Sequence, residues 1–153
     1  MKHFRFAVAA LVLLAGGTSA FAGSMLKPAI FMPASIHWMP GTRQIPSTVG
    51  VVVLDGDPTK PGPFTMRLNI PDGTKFPAHY HDDTERLTVI SGTFMAGIGN
   101  KFDASKLMAL PAGSYAVLPA HLWHFAMAKG ATVVQVSGTG PFAMKTDMMG
   151  GSH

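Results

Sequence analysis

The chain contains no cysteine. That excludes disulfides, a thiol nucleophile and thiolate metal ligands, and it removes the residue that anchors bacterial lipoproteins. Charge is scarce: charged residues make up 13% of the sequence, and Glu85 is its single glutamate. The formal net charge is +4 with no run of basic residues, so the electrostatic footprint of a nucleic-acid-binding protein is missing. Long helical patterns are missing too. The 17 glycines and 12 prolines punctuate the chain at short intervals, which leaves room for short strands rather than helices. The one long apolar run, "AVAALVLLAG" at residues 7–16, is well short of the roughly 20 residues needed to span a bilayer.

That run follows Lys2 and Arg5 and leads into Ala20-Phe21-Ala22. A charged start, an apolar middle and an A-x-A end predict an export signal, cleaved after Ala22. The product is then expected to be periplasmic or secreted, with no stable membrane anchor. Without Lys2 and Arg5 the formal charge falls to +2. Residues 23–153 suit one domain large enough for a proper core. Within them, residues 23–48 read as an apolar, proline-rich arm or edge strands, packing on the body, on a second subunit or as an edge strand of one subunit. Residues 49–138 read as the strand-rich body. Residues 139–153 read as a C-terminal tail, whose Met148, Met149 and His153 are either donors for a soft metal or plain disorder.

The body reads as strands throughout. "VGVVVLDGD" is a strand ending in a turn, and "FTMRLNI" alternates Phe64, Met66, Leu68 and Ile70 against Thr65, Arg67 and Asn69, the period of a two-faced strand. "ERLTVISGTFMAGIG" reads as two strands broken at Ser91-Gly92. "SYAVLP", "WHFAMA" and "ATVVQVSG" read as three more, the last two separated at Lys129-Gly130. "DASKLMAL" can hold one helical turn capped by Asp103. So many short strands predict an all-β sandwich or barrel.

Glu85 stands four residues after a His-x-His pair, in "HYHDDTE". Residues two apart on a strand share a face, so His79 and His81 project together while Tyr80 points away. Two imidazoles side by side make half of a site for Zn, Cu, Fe or Ni. Asp82-Asp83-Thr84 can turn the chain and bring Glu85 to the same point. A fourth partner must come from elsewhere, and "PAHLWHF" offers His121 and His124. A lone histidine is more often an ordinary polar residue, but here four histidines fall between positions 79 and 124 around the only glutamate. The zinc-hydrolase pattern H-x-H-x-D-H is met by His79, His81 and Asp83 but fails at Thr84, and the chain is too short and helix-poor for that fold.

These residues resemble the cupin superfamily. The pattern G-x5-H-x-H-x3-4-E-x6-G is met at Gly73, His79, His81, Glu85 and Gly92, and G-x5-P-x-G-x2-H-x3-N is met at Gly113, Pro119 and His124. His121 stands where glycine is usual and Ala128 where asparagine is usual. The resemblance covers residues 49–137 and extends to small exported single-cupin proteins. It implies a small jelly-roll β-barrel of antiparallel strands over residues 49–138. It also implies His79, His81, Glu85 and His124 as ligands of one divalent transition metal ion, whether Fe, Mn, Ni, Cu or Zn. Cupins commonly pair through sheet edges, which adds a homodimer to the expectations.

Around that site, Phe64, Met66, Phe94, Met95 and Met127 are candidate apolar walls. His121 is a candidate acid or base at the barrel mouth, or else a solvated loop residue. Arg67 is a candidate partner for an anionic substrate, or else an arginine at the rim. Trp123, next to His124, is expected to face away. The leading functional expectation is a metal enzyme acting on a small chelating organic substrate, dioxygenase-like or an isomerase or lyase. The alternatives are a non-catalytic periplasmic protein that binds a small ligand or metal, and a metal-free structural barrel.

Overall fold

Strand parity organises the molecule. In the strand Gly62–Ile70, Phe64, Met66, Leu68 and Ile70 are all buried, while Thr65, Arg67 and Asn69 between them are only half-buried on the opposite face. The computed structural model describes residues 28–42 and 44–146, so the expected export signal lies outside the described residues. The chain falls into two units, Met1–Ile30 and Phe31–His153. Of the first, residues 28–30 are described, and they are irregular and exposed.

The second unit holds eight strands: β1 (Met39–Pro40), β2 (Gly50–Gly56), β3 (Gly62–Ile70), β4 (Lys75–His79), β5 (Glu85–Ile98), β6 (Met108–Pro111), β7 (Tyr115–Leu118) and β8 (His124–Gly140). Every pairing among them is antiparallel. The pairing path runs β1-β2-β3-β8-β5-β6, with β4 added on β8 and β7 on β5. The all-β, antiparallel jelly-roll arrangement expected from the sequence is present. Among the described residues, no ladder joins β1 to β6, so the sheet does not close on itself.

Two strands are longer than the sequence suggests. β5 runs through Ser91-Gly92 and β8 through Lys129-Gly130 without breaking. Register jumps on either side of Ser91 show that first β5 and then β8 absorbs extra residues as an irregularity, and pairing resumes beyond it, which is how a bulge bends a strand while preserving its ladder. Gly92 has φ +75°, and a Cβ there would run into the Ala131 carbonyl and Thr132. Glycine therefore marks a bend here, not an end. Because the two strands run antiparallel along their whole length, the first half of β5 pairs with the second half of β8, and the second half with the first.

The inward residues form one core that includes Phe64, Ile70, Phe76, Leu87, Val134 and Val136. Each large side chain fully buried there stabilises the fold by about 1.5–3 kcal/mol. The expected helical turn is a single 3-10 turn, Ala104–Lys106, in which the Ser105 N–H donates to Asp103 Oδ1 at 3.0 Å. The arm contributes an edge strand to its own subunit, since β1 pairs with the start of β2. Among the described residues, no helix is long and apolar enough to cross a membrane.

Candidate metal centre

The local pairing delivers the histidines to one place. His79 ends β4 and His124 begins β8, and the two are direct cross-strand partners. His81 follows two residues later, past Tyr80, whose backbone bridges to Lys145. Asp83 accepts from the Thr84 N–H at 2.7 Å and turns the chain into β5, whose first residue is Glu85. The Asp83 carboxyl is held below its ordinary range by the Thr139 hydroxyl and the Thr84 amide. The acid that a zinc-hydrolase pattern would enlist is thus occupied elsewhere.

His79, His81 and His124 are each 5% exposed, and one ring nitrogen from each lies within 4.8 Å of the others. Their tautomers follow from the other nitrogen. Nδ1 of His79 lies 2.7 Å from the Pro77 carbonyl, that of His81 2.9 Å from the Ala143 carbonyl, and that of His124 2.9 Å from the Leu122 carbonyl. A carbonyl only accepts, so each Nδ1 carries a proton and, in the neutral ring, each Nε2 presents a lone pair. Glu85 Oε2 lies 3.4 Å from Nε2 of His81 and 3.3 Å from Nε2 of His124. The structure therefore brings together all four residues that the cupin pattern singles out. The three imidazoles form the tight group, with Glu85 approaching from the side of His81 and His124.

The electrostatics reflect crowding without a nearby fixed cation. Burial, and then the neighbouring His124, pull His79 down to about 4. Burial pushes the Glu85 carboxyl up, but in the metal-free protein the adjacent His124 and His81 rings, which can donate to it only when Nε2 also carries a proton, outweigh burial and hold the group at about 2. Burial likewise pulls His124 down, and the adjacent carboxylate more than reverses this, so His124 is raised. Among the described residues, Glu85 makes no ion pair with lysine or arginine. A buried carboxylate facing imidazole lone pairs is a poor arrangement for protein alone and a good one for a divalent cation. The donor set of three neutral imidazoles and one carboxylate fits a transition metal.

The four side chains help to line a cavity of about 690 Å³. Its walls are apolar, with Met66, Leu68, Phe76, Phe94, Val134 and Val136 among them. Of the expected walls, Met66 and Phe94 take that place. Phe64 is buried in the core behind Phe142, their ring centroids 5.0 Å apart. Met95 and Met127 are cross-strand partners, half-buried, and are not among the wall residues. Arg67 also lies outside the cavity: its Nε–H donates to Gln135 Oε1 at 3.1 Å on the other face of the sheet. Trp123 packs on Tyr80, centroids 4.9 Å apart, away from the lining.

His121 is not in the cavity either. Its side chain is 68% exposed, with Nδ1 3.9 Å from Asp82 Oδ1. Its backbone has φ +63°, and its N–H donates to the His81 carbonyl at 2.8 Å. The left-handed turn that a glycine would adopt freely is therefore kept, with histidine in it. Sequence reading missed residues 141–144, all of which line the cavity although they were assigned to the tail. Phe142 stacks on His81 with centroids 3.9 Å apart and planes at 15°. A Gly-Pro-Phe after an apolar strand signals a turn, but nothing in it names a partner some sixty residues earlier.

Residues 36–148 match the family model described as "Domain of unknown function (DUF4437)". The chain belongs to that family. It has the cupin fold. A search of curated proteins found no match. Among solved structures, this DUF4437 chain is similar to a protein of Methylibium petroleiphilum PM1 provisionally named an acetylacetone dioxygenase. The two share 19% identity over 81% of this chain and 85% of that one, with a TM-score of 0.61. The polyketide cyclase RemF of Streptomyces resistomycificus shares 13% identity over 82% and 87% of the two chains, with a TM-score of 0.60. An RmlC-like cupin of Shewanella frigidimarina NCIMB 400 shares 12% identity over 74% and 91%, with a TM-score of 0.56. At such identities the likeness speaks for the fold, and the jelly-roll arrangement agrees with the bent β5 and β8.

Proposed function

We propose that this chain is an exported, metal-dependent oxidoreductase of dioxygenase type acting on a small, apolar, chelating organic molecule. His79, His81, Glu85 and His124 would hold one divalent transition metal. The observation that carries this reading is the tautomer lock. With every Nδ1 proton committed to a carbonyl, three Nε2 atoms and the Glu85 carboxylate are left to face one another in the lining of a largely apolar cavity. A metal held by four protein donors would keep open positions for a chelating substrate and, as Fe(II), would support O2 chemistry.

The chain's own residues narrow the substrate. Glu85 contributes one negative charge, so a divalent centre retains net positive charge for an enolate or phenolate oxygen. Met66, Leu68 and Phe94 exclude water and pack hydrocarbon. Among the described residues lining the cavity, no titratable side chain exists beyond the four site residues. Isomerase or lyase chemistry calls for a separate proton shuttle, whereas an acidic enol, diketone or phenol needs none. The Methylibium neighbour is named for acetylacetone, a molecule of this kind. Export is supported by the pattern of residues 1–22.

The test is anaerobic loading of untagged protein with Fe(II), followed by O2-uptake assays over small diketones, enols and phenols. Uptake that requires both metal and a chelating substrate is expected. No turnover with Fe, Mn, Ni or Cu would overturn the enzymatic reading.

A further inference from the structure

We propose that residues 141–145 act as a strap that orients His81 as a ligand, with Phe142 and the Ala143 carbonyl as its positioning groups. This inference rests on the metal reading above. His79 and His124 are oriented locally, each by the carbonyl two residues before it in the chain. His81 is oriented from a distance: the carbonyl that receives its Nδ1 proton lies 62 residues further along the chain. Its ring also lies flat on Phe142.

The strap is fixed on both sides of that contact. The Phe142 N–H donates to the Pro58 carbonyl at 2.7 Å, and the ring packs on Phe64. Lys145 exchanges two backbone hydrogen bonds with Tyr80, of 2.9 and 2.8 Å, and its Nζ pairs with Asp82. The residues immediately before and after His81 are thus both tied to Lys145. An imidazole held by a carbonyl on one edge and an aromatic face beneath it can neither rotate nor change tautomer without undoing the strap. Because residues 141–144 also line the cavity, docking of the strap completes the wall and the ligand set together.

The test measures Zn²⁺ affinity of the full chain by competition with a chromophoric chelator, together with imidazole ¹⁵N spectra of the metal-free protein. Phe142→Met keeps apolar volume but removes the flat ring. It should weaken zinc binding about 10–100-fold, the usual cost of losing a group that orients a ligand. Phe142→Tyr restores the ring and should bind zinc close to the parent, short of the roughly 10-fold loss that marks removal of an orienting group. Phe102→Met is the structural control. Phe102 packs on Phe125, centroids 5.2 Å apart, and is not part of the cavity wall. It should lower the melting temperature and leave zinc affinity unchanged.

Unchanged affinity in Phe142→Met, or an equal loss in Phe102→Met, would overturn the strap. If the parent chain binds no zinc, the metal reading falls instead, and the spectra decide about the strap. A protected His81 Nδ1–H in the parent that disappears in Phe142→Met supports it. A parent His81 protonated on Nε2 overturns it.

Discussion

The polar and apolar parts of the cavity lining are built on opposite physical terms. In the polar part, four side chains with exposures of 5–7% crowd together. In the apolar part, Met66, Leu68, Phe76 and Phe94 form a wall that carries no charge. The wall stabilises the fold simply by being out of water, and it needs no partner. The polar group is costly to bury, its carboxylate and imidazoles offset only part of that cost between themselves, and a cation would offset the rest. One part thus supplies stability and the other depends on it, so substitutions in the two regions should separate stability from metal binding.

The wall should show the larger effect on folding. Phe94 is 7% exposed and packs on Phe76 with centroids 6.5 Å apart. Phe94→Ala should cost about 3 kcal/mol, the low end of the range for such truncations because the ring already borders a cavity. Denaturant unfolding measures this, and chelator competition should find metal affinity close to that of the parent. A large loss of affinity at equal stability would mean that the two parts are not separable.

The polar part should show the reverse. Glu85→Gln keeps shape and removes charge, and it should weaken metal binding by more than about 100-fold, exceeding the cost of losing a supporting group. The metal-free protein gives a second reading through pH. His79 lies below its ordinary 6.5, so its contribution is complete above that value and is lost as pH falls toward about 4. Glu85 lies below its ordinary 4.5, so its contribution is lost as pH falls from there toward about 2. His124 is raised, and its contribution is present in acid and lost as pH rises through its folded value. Unfolding of the metal-free parent should therefore become easier in two acid steps. Glu85→Gln should shrink the lower step, leaving the part that Asp83 contributes, and remove the opposing contribution of His124. If the variant kept the lower step undiminished, the acid sensitivity would belong to the other carboxylates alone.

The same contrast explains what the sequence revealed. His79, His81 and Glu85 were legible because a strand period of two and a short turn are local geometry, and His124 because its pattern is fixed in spacing. Parity had also already settled Arg67: once Met66 and Leu68 point inward, the residue between them points out. Met95, beside the inward Phe94, is the same case. Long-range packing was not legible. Nothing in residues 141–144 announces that His81 needs a carbonyl and an aromatic face. The bends at Gly92 and Gly130 read as breaks because a glycine at φ +75° ends a strand as readily as it bulges one, and only the partner strand decides.

The smallest effect comes from a residue near the polar part that belongs to neither region. His121 holds φ +63° with its side chain in solvent and its N–H on the His81 carbonyl. A non-glycine residue in this conformation costs of the order of 1 kcal/mol. Glycine removes that strain but gains freedom in the unfolded chain, which takes back part of the benefit. His121→Gly should therefore stabilise the protein by a few tenths of a kcal/mol to about 1 kcal/mol, read from the unfolding midpoint. Metal affinity should not move, because the hydrogen bond to the His81 carbonyl is made by the backbone, which glycine retains. A loss of turnover in this variant, with the metal still bound, would restore His121 as an acid or base acting at the cavity mouth. Retained turnover would leave the cavity with no proton-transfer group besides its ligands, as expected for a substrate that brings its own acidic proton.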